Sequence, residues 1–195
     1  IVFIFSLLLS MFNFYIFFII FNKKILIRDH KEDMYLMFLT IILIVFIYFN
    51  HNSGIDLIIG VISSLATSGL TLMKADNLSL YFLFITLIGG SLVSNTSGIK
   101  LARFYILLKI ASAEIMKLIS PNSVINKTIF NSEKKITDDN VKISFLIFIS
   151  FFLSLFILSS FLVLDNIGFE KSFKLSILTL MNTVNSELFN LENLN

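Results

Sequence analysis

From Ile143 to Leu164 the chain runs without one charged residue, and no other feature limits its fold so sharply. As a helix this stretch is about 30 Å long, the thickness of a bilayer's hydrocarbon core. A helix apolar on every side must be sheathed by lipid or by other protein. Ile1–Phe21 is likewise uncharged and long enough to cross. Met34–Phe49 is a further candidate span, with Tyr35 and Tyr48 near its ends as interface anchors. Composition agrees: 56% of the 195 residues are hydrophobic, and the mean hydropathy is +0.91. The reading is an all-α membrane protein. A net charge of +2 and the absence of cysteine exclude a nucleic-acid footprint, a disulfide framework and thiolate metal sites. His30 and His51 fall in separate polar loops, and no cluster of carboxylates or histidines lies at depth. The chain is therefore expected not to be an enzyme. Ile1 opens directly on an apolar run, without a basic n-region or cleavage site, which suggests a fragment rather than a signal peptide.

Two segments do not fit simple spans. Leu57–Ala66 is apolar but too short to cross, and it ends in Ala66-Thr67-Ser68-Gly69-Leu70-Thr71. That combination reads as a re-entrant helix with a polar tip. Leu78–Ile119 is too long: as one straight helix it would reach roughly 60 Å. Its middle, Gly89–Gly98, holds almost nothing but small and polar residues and is followed by Lys100 and Arg103. A broken transmembrane helix is expected there. Lys23, Lys24, Arg28 and Lys31, with Lys117, Lys127, Lys134, Lys135 and Lys142, gather on one side if the short segment re-enters. The positive-inside rule makes that side cytoplasmic.

The order then repeats. Met34–Phe49, a short acidic turn, a short apolar helix and a polar tip are followed by the broken helix. Ile143–Leu164, a short acidic turn, a short helix over Phe169–Met181 and the tip Asn182–Leu188 match it, without a closing helix. The plan is helix, pore-loop, helix, with re-entrant loops. Non-helical backbone at bilayer depth must line water or be buried in protein, and carbonyls turned to an axis can replace a cation's hydration shell. Gly69 suits such a turn because it takes positive φ freely. Alone, Thr67-Ser68-Gly69 is ordinary turn chemistry; the short helix before it, the broken helix after it and the repeat favour the pore-loop.

These residues resemble the Trk/Ktr/HKT potassium transporter family, closest to the TrkH-type subunit. The likeness rests on Gly89-Gly90, the run Ser91–Ser97, Gly98-Ile99-Lys100, Arg103, Leu107-Leu108-Lys109 and Pro121-Asn122 in order, and on Ser64–Leu70 as a third-repeat filter. It makes the chain a C-terminal fragment: 1–21 the last helix of a preceding repeat, 22–33 a cytoplasmic connection, 34–119 repeat three, 120–142 a cytoplasmic loop, and 143–195 repeat four without its final helix. It implies K+ as the transported ion, with no covalently bound cofactor, and a filter of Thr67, Ser68, Gly69, Leu70, Asn182, Thr183, Val184 and Asn185. It implies an intramembrane gate loop of Gly89, Gly90, Ser91, Ser94, Asn95, Thr96, Ser97 and Gly98. Arg103, with Lys100, would act on that gate electrostatically; at the bilayer centre each would cost about 2.5–3.5 kcal/mol if it faced lipid. On the residues alone, a gate and a helix-packing kink are equally served by this stretch. The implied setting is multi-pass in the cytoplasmic membrane of a bacterium. The implied partners are the remaining pore repeats, a second copy in a homodimer, a cytosolic nucleotide-binding regulatory subunit and membrane lipids, with no nucleic acid. Departures are Val93, Thr96 and Ser97 where the family favours glycine, and Asn185 and Glu187 at glycines of the fourth filter. They leave a sodium-permeable or non-conducting relative, a structural subunit or a truncated remnant as the alternative.

Overall fold

The computed structural model describes residues 2–13, 31–50, 54–69, 79–120, 128–131 and 135–183. Its helices are α1 (Val2–Met11), α2 (Lys31–Asn50), α3 (Gly54–Leu65), α4 (Ser79–Leu87), α5 (Leu101–Ile119), α6 (Asp138–Leu164) and α7 (Phe169–Leu180). Between α4 and α5, the two-residue strands β1 (Ile88–Gly89) and β2 (Ile99–Lys100) pair in parallel, Ile88 opposite Ile99 and Gly89 opposite Lys100. The expected all-α membrane architecture is present, with this small bridge inside the break.

Two helices are long and apolar enough to cross a bilayer, over Lys31–Phe49 and Asp138–Leu164. Only 22% and 11% of their most apolar windows are buried within the chain. Phe38, Phe46, Phe145, Leu146, Phe156 and Phe161 point outward, each more than half exposed. A core helix of a water-soluble domain would be mostly covered; here apolar surface faces outward along nearly the whole length, as lipid requires. Both helices have firm starts. Thr137 caps α6 by accepting from Asn140 N at 3.3 Å, and Asp138 and Asp139 oppose the dipole. Glu32 and Asp33 stand in the first turn of α2.

The short helix α3 behaves oppositely. From Leu57 to Thr67 every residue but Ile58 is buried. The helix α3 packs between α2 and α4, and α7 between α6 and α4. In lipid, helices gain little from hydrophobicity towards one another, so close fit and polar contacts hold them together. The contact of α3 with α4 shows the fit: a Cβ on Gly60 would lie 3.0 Å from the Phe82 ring tip. Phe82, Leu57, Val61, Leu65, Met11, Leu178 and Met181 belong to one buried cluster that joins α1, α3, α4 and the end of α7.

The first expected span is described only in part. Within Ile1–Phe21, helix ends at Met11, and Phe12 and Asn13 leave it; 14–30 lie outside the described residues. The terminal polar groups of α1 have partners from elsewhere in the chain. The carbonyls of Ser10 and Met11 accept from Asn95 N and Ser91 N, and Asn13 N donates to the Asp33 carboxylate at 3.0 Å. The short helix α3 also begins earlier than Leu57, at Gly54.

Candidate functional site

Both short helices end in the same way. At the end of α3, Thr67 N donates to Ser64 O and Ser68 N to Ser63 O, both at 3.1 Å. At the end of α7, Asn182 N donates to Thr179 O at 3.1 Å and Thr183 N to Leu178 O at 2.8 Å. This is the Schellman arrangement, which needs a left-handed residue just past the helix. Thr67 and Asn182 occupy that position, with φ of 49° and 58°. Neither is glycine, and β-branched Thr67 is an uncommon choice there. Gly69, the turn residue expected from the sequence, does have φ of 69°. Leu70, Val184 and Asn185 lie outside the described residues.

The two turns meet. A Cβ on Gly69 would stand 3.1 Å from Thr183 Cα and 3.3 Å from Thr183 O. Residues more than a hundred positions apart are thus in backbone contact; Thr67, Gly69 and Thr183 are buried, while Asn182 is exposed. The hydroxyls brace the turns. Ser68 Oγ lies 2.7 Å from Ser63 Oγ, Thr183 Oγ1 donates to Leu178 O at 3.3 Å, and Thr67 Oγ1 accepts from Ser97 N at 2.9 Å.

That last bond joins the first turn to the break. The chain leaves α4 after Leu87, makes an excursion, and rejoins α5 at Leu101, with its two ends closed by the β1–β2 bridge. The loop is packed by its own polar groups, as compact surface-to-surface excursions are. Gly90 N donates to Thr96 Oγ1 at 2.7 Å, Ser94 Oγ to Ser91 O at 2.7 Å, and Leu101 N to Gly90 O at 3.2 Å. Its glycines are set by space. A Cβ on Gly89 would fall 2.2 Å from Ser97 O, and one on Gly90 2.4 Å from Met11 O. Gly98, with φ of 84°, lies against Leu87 O and Met181 Sδ. The loop therefore touches the ends of both short helices, at Thr67 and at Met181. A simple packing kink would retain one helix axis; here helical backbone is absent from Ile88 to Lys100.

Lys100 and Arg103 share the start of α5. The Lys100 ammonium donates into the loop, to Ser94 O, Ser94 Oγ, Thr96 O and Thr96 Oγ1 at 2.5–3.1 Å. Arg103 is half-buried one turn further on. One residue was missed by sequence reasoning. Glu32, read as part of a charged connection, accepts from Leu92 N at 2.7 Å and also engages the Ala102 backbone. It thus caps α5 from another helix, since Lys100 supplies no side-chain cap. A carboxylate at the first turn of α2 signals an ordinary helix start, so nothing in the sequence marks its second use.

Paired re-entrant helices that end in matched left-handed turns, beside a broken helix and outward-facing apolar spans, define the class: an integral membrane protein of helix–pore-loop–helix repeats. The particular architecture is TrkH-type. The crystal structure of the potassium transporter TrkH from Vibrio parahaemolyticus superposes with a TM-score of 0.75 over 97% of this chain and 50% of that one, at 18% identity. In sequence, the "Uncharacterized cation transporter MJ1485" of Methanocaldococcus jannaschii is 34% identical over 112 residues, which are 55% of this chain and 22% of that protein. The chain thus spans half the length of the solved structure and a smaller share of the curated relative. No family model matches.

Proposed function

We propose that this chain forms the C-terminal half of a potassium-conducting pore, in which the turns at Thr67–Leu70 and Asn182–Asn185 supply two quarters of a carbonyl filter. The carrying observation is the contact of Gly69 with Thr183, where two non-helical stretches from separate repeats meet inside the protein. Left-handed turns expose successive carbonyls that no helix has claimed. A monovalent cation is the ligand that such oxygens fit, because they carry partial rather than full negative charge. The process is passive conduction, with no covalent chemistry and no bound cofactor. That both similar proteins are described as transporters supports it.

The loop from Gly89 to Gly98 is the gate in this reading. It adjoins both turns, so its displacement would change the path beneath them. Arg103 and Lys100 place positive charge beside that path and disfavour cation passage while the loop is in place. The remaining repeats, a second copy and a cytosolic nucleotide-binding subunit complete the assembly, in the cytoplasmic membrane of a bacterium. The second reading, a sodium-permeable or non-conducting relative or a structural remnant, draws on Asn185 and Glu187 at the fourth filter.

Ion flux into proteoliposomes of the complete gene product separates these. Potassium uptake that exceeds sodium uptake, and that Asn182→Ala diminishes, is the expected result. Faster sodium entry supports the altered relative, and absence of both fluxes overturns conduction.

A further inference from the structure

The Lys100 side chain has an unusual set of partners. Its Nζ lies 3.0 Å from Ser94 O, 3.1 Å from Ser94 Oγ, 2.5 Å from Thr96 O and 3.1 Å from Thr96 Oγ1. A lysine ammonium has three donors, so four oxygens share three hydrogens. All four are neutral: two main-chain carbonyls and two hydroxyls. Among the described residues, no carboxylate lies within ion-pair distance of the amine. The acceptors come from the loop itself, from two residues separated only by Asn95. This differs from a surface salt bridge, where a flexible amine meets one acid. It matches how proteins hold bare monovalent cations, by converging carbonyl and hydroxyl dipoles. An ammonium group and a potassium ion are close in size and carry the same charge.

The cage is also built into the loop rather than fitted to the lysine by chance. Thr96 Oγ1 is fixed by Gly90 N at 2.7 Å and lies 2.8 Å from Ser94 Oγ. The backbone on either side is anchored outside the loop, by Asn95 N on Ser10 O and by Ser97 N on Thr67 Oγ1. The two hydroxyls have these other partners, but among the described residues the carbonyls of Ser94 and Thr96 accept only from the amine, so without a cation those two dipoles would converge unopposed. One more oxygen of this loop, Ser91 Oγ, is fully buried without a partner among the described residues.

We propose that the oxygens of Ser94 and Thr96 form a monovalent-cation site, separate from the paired turns, which the chain fills with its own Lys100 ammonium. The tethered cation holds the loop in its folded shape without drawing on ions from solution. Removal of the amine leaves a vacant site of the class that takes ammonium, small primary alkylammonium or potassium ions. This inference does not rest on the pore reading; it would hold in a subunit that conducts nothing.

The test uses the complete gene product in detergent, with Lys100→Ala to clear the amine and most of its stem. Thermal unfolding is followed in choline, ammonium, ethylammonium and potassium chloride at equal ionic strength. Wild-type protein in the same salts reports any cation bound at the paired turns, so only the variant's excess response counts. The expected result is a lowered midpoint for Lys100→Ala in choline, most of it regained in ammonium or ethylammonium, with little change in wild type. A deficit of equal size in every salt overturns the proposal. Should Lys100→Ala not fold in any salt, wild-type protein labelled with 15N-lysine decides. A caged ammonium exchanges its protons slowly and gives a side-chain signal that Lys100→Arg removes; absence of such a signal overturns the cage.

Discussion

Replacement of Gly69 by alanine tests the central contact of this structure most directly. Two costs arise from separate causes. With φ of 69°, Gly69 is left-handed, a conformation that costs an L-residue about 1–2 kcal/mol. The new methyl would stand 3.1 Å from Thr183 Cα and 3.3 Å from Thr183 O. Those are backbone atoms of a turn already fixed by two hydrogen bonds, so they cannot swing away as a side-chain end would. Overpacking of this kind costs about 1–3 kcal/mol. Alanine also restricts the unfolded chain, which offsets about 0.4–1 kcal/mol. The net expectation is a loss of about 2–4 kcal/mol. Gly168→Ala is the internal control: nothing lies within 4 Å of its Cβ position, and its φ is −55°. That change should stay within about 0.5 kcal/mol of wild type. Reversible unfolding of the complete gene product in mixed micelles, with the two variants side by side, measures both. If Gly69→Ala costs no more than Gly168→Ala, the two turns do not touch, and the paired filter loses its structural basis.

Two further outcomes follow from the loop's anchors. Thr67→Val keeps the shape and branching of the residue but removes the acceptor for Ser97 N, so a buried N–H is left without a partner. It should destabilise by about 1–3 kcal/mol and speed amide exchange at Ser97 in hydrogen-exchange mass spectrometry, whereas Thr67→Ser should leave that exchange slow. Glu32→Ala removes the carboxyl group that serves Leu92 N and the Ala102 backbone; about 1–3 kcal/mol is expected, as for donors left without their partner. Exchange at Leu92 and Ala102 should rise together, and a rise at one alone would mean that Glu32 does not join the loop to α5.

Whatever depends on neighbours along the chain is legible in the sequence. Ile143–Leu164 declares a span because hydropathy is a property of the segment itself. Leu57–Ala66 declares a re-entrant helix because its length fails a fixed thickness, and Gly89–Gly98 declares a break because small polar residues cannot sustain a lipid-facing helix. The resemblance to potassium transporters came from motifs of the same local kind. What brings these pieces together was hidden. Thr67 and Asn182 bear the left-handed turns that end α3 and α7, and a β-branched threonine does not advertise that role. The break is held by the carbonyls of Ser10 and Met11, the Glu32 carboxylate and the Thr67 hydroxyl, all more than twenty positions away in sequence. Those same carbonyls lie at the end of α1, at Met11. The physical reason is that helix propensity and hydropathy act through nearby residues, whereas an orphaned N–H or carbonyl takes any partner that tertiary packing delivers. In a membrane, where water cannot satisfy those groups at depth, that partner is chosen by the three-dimensional arrangement alone.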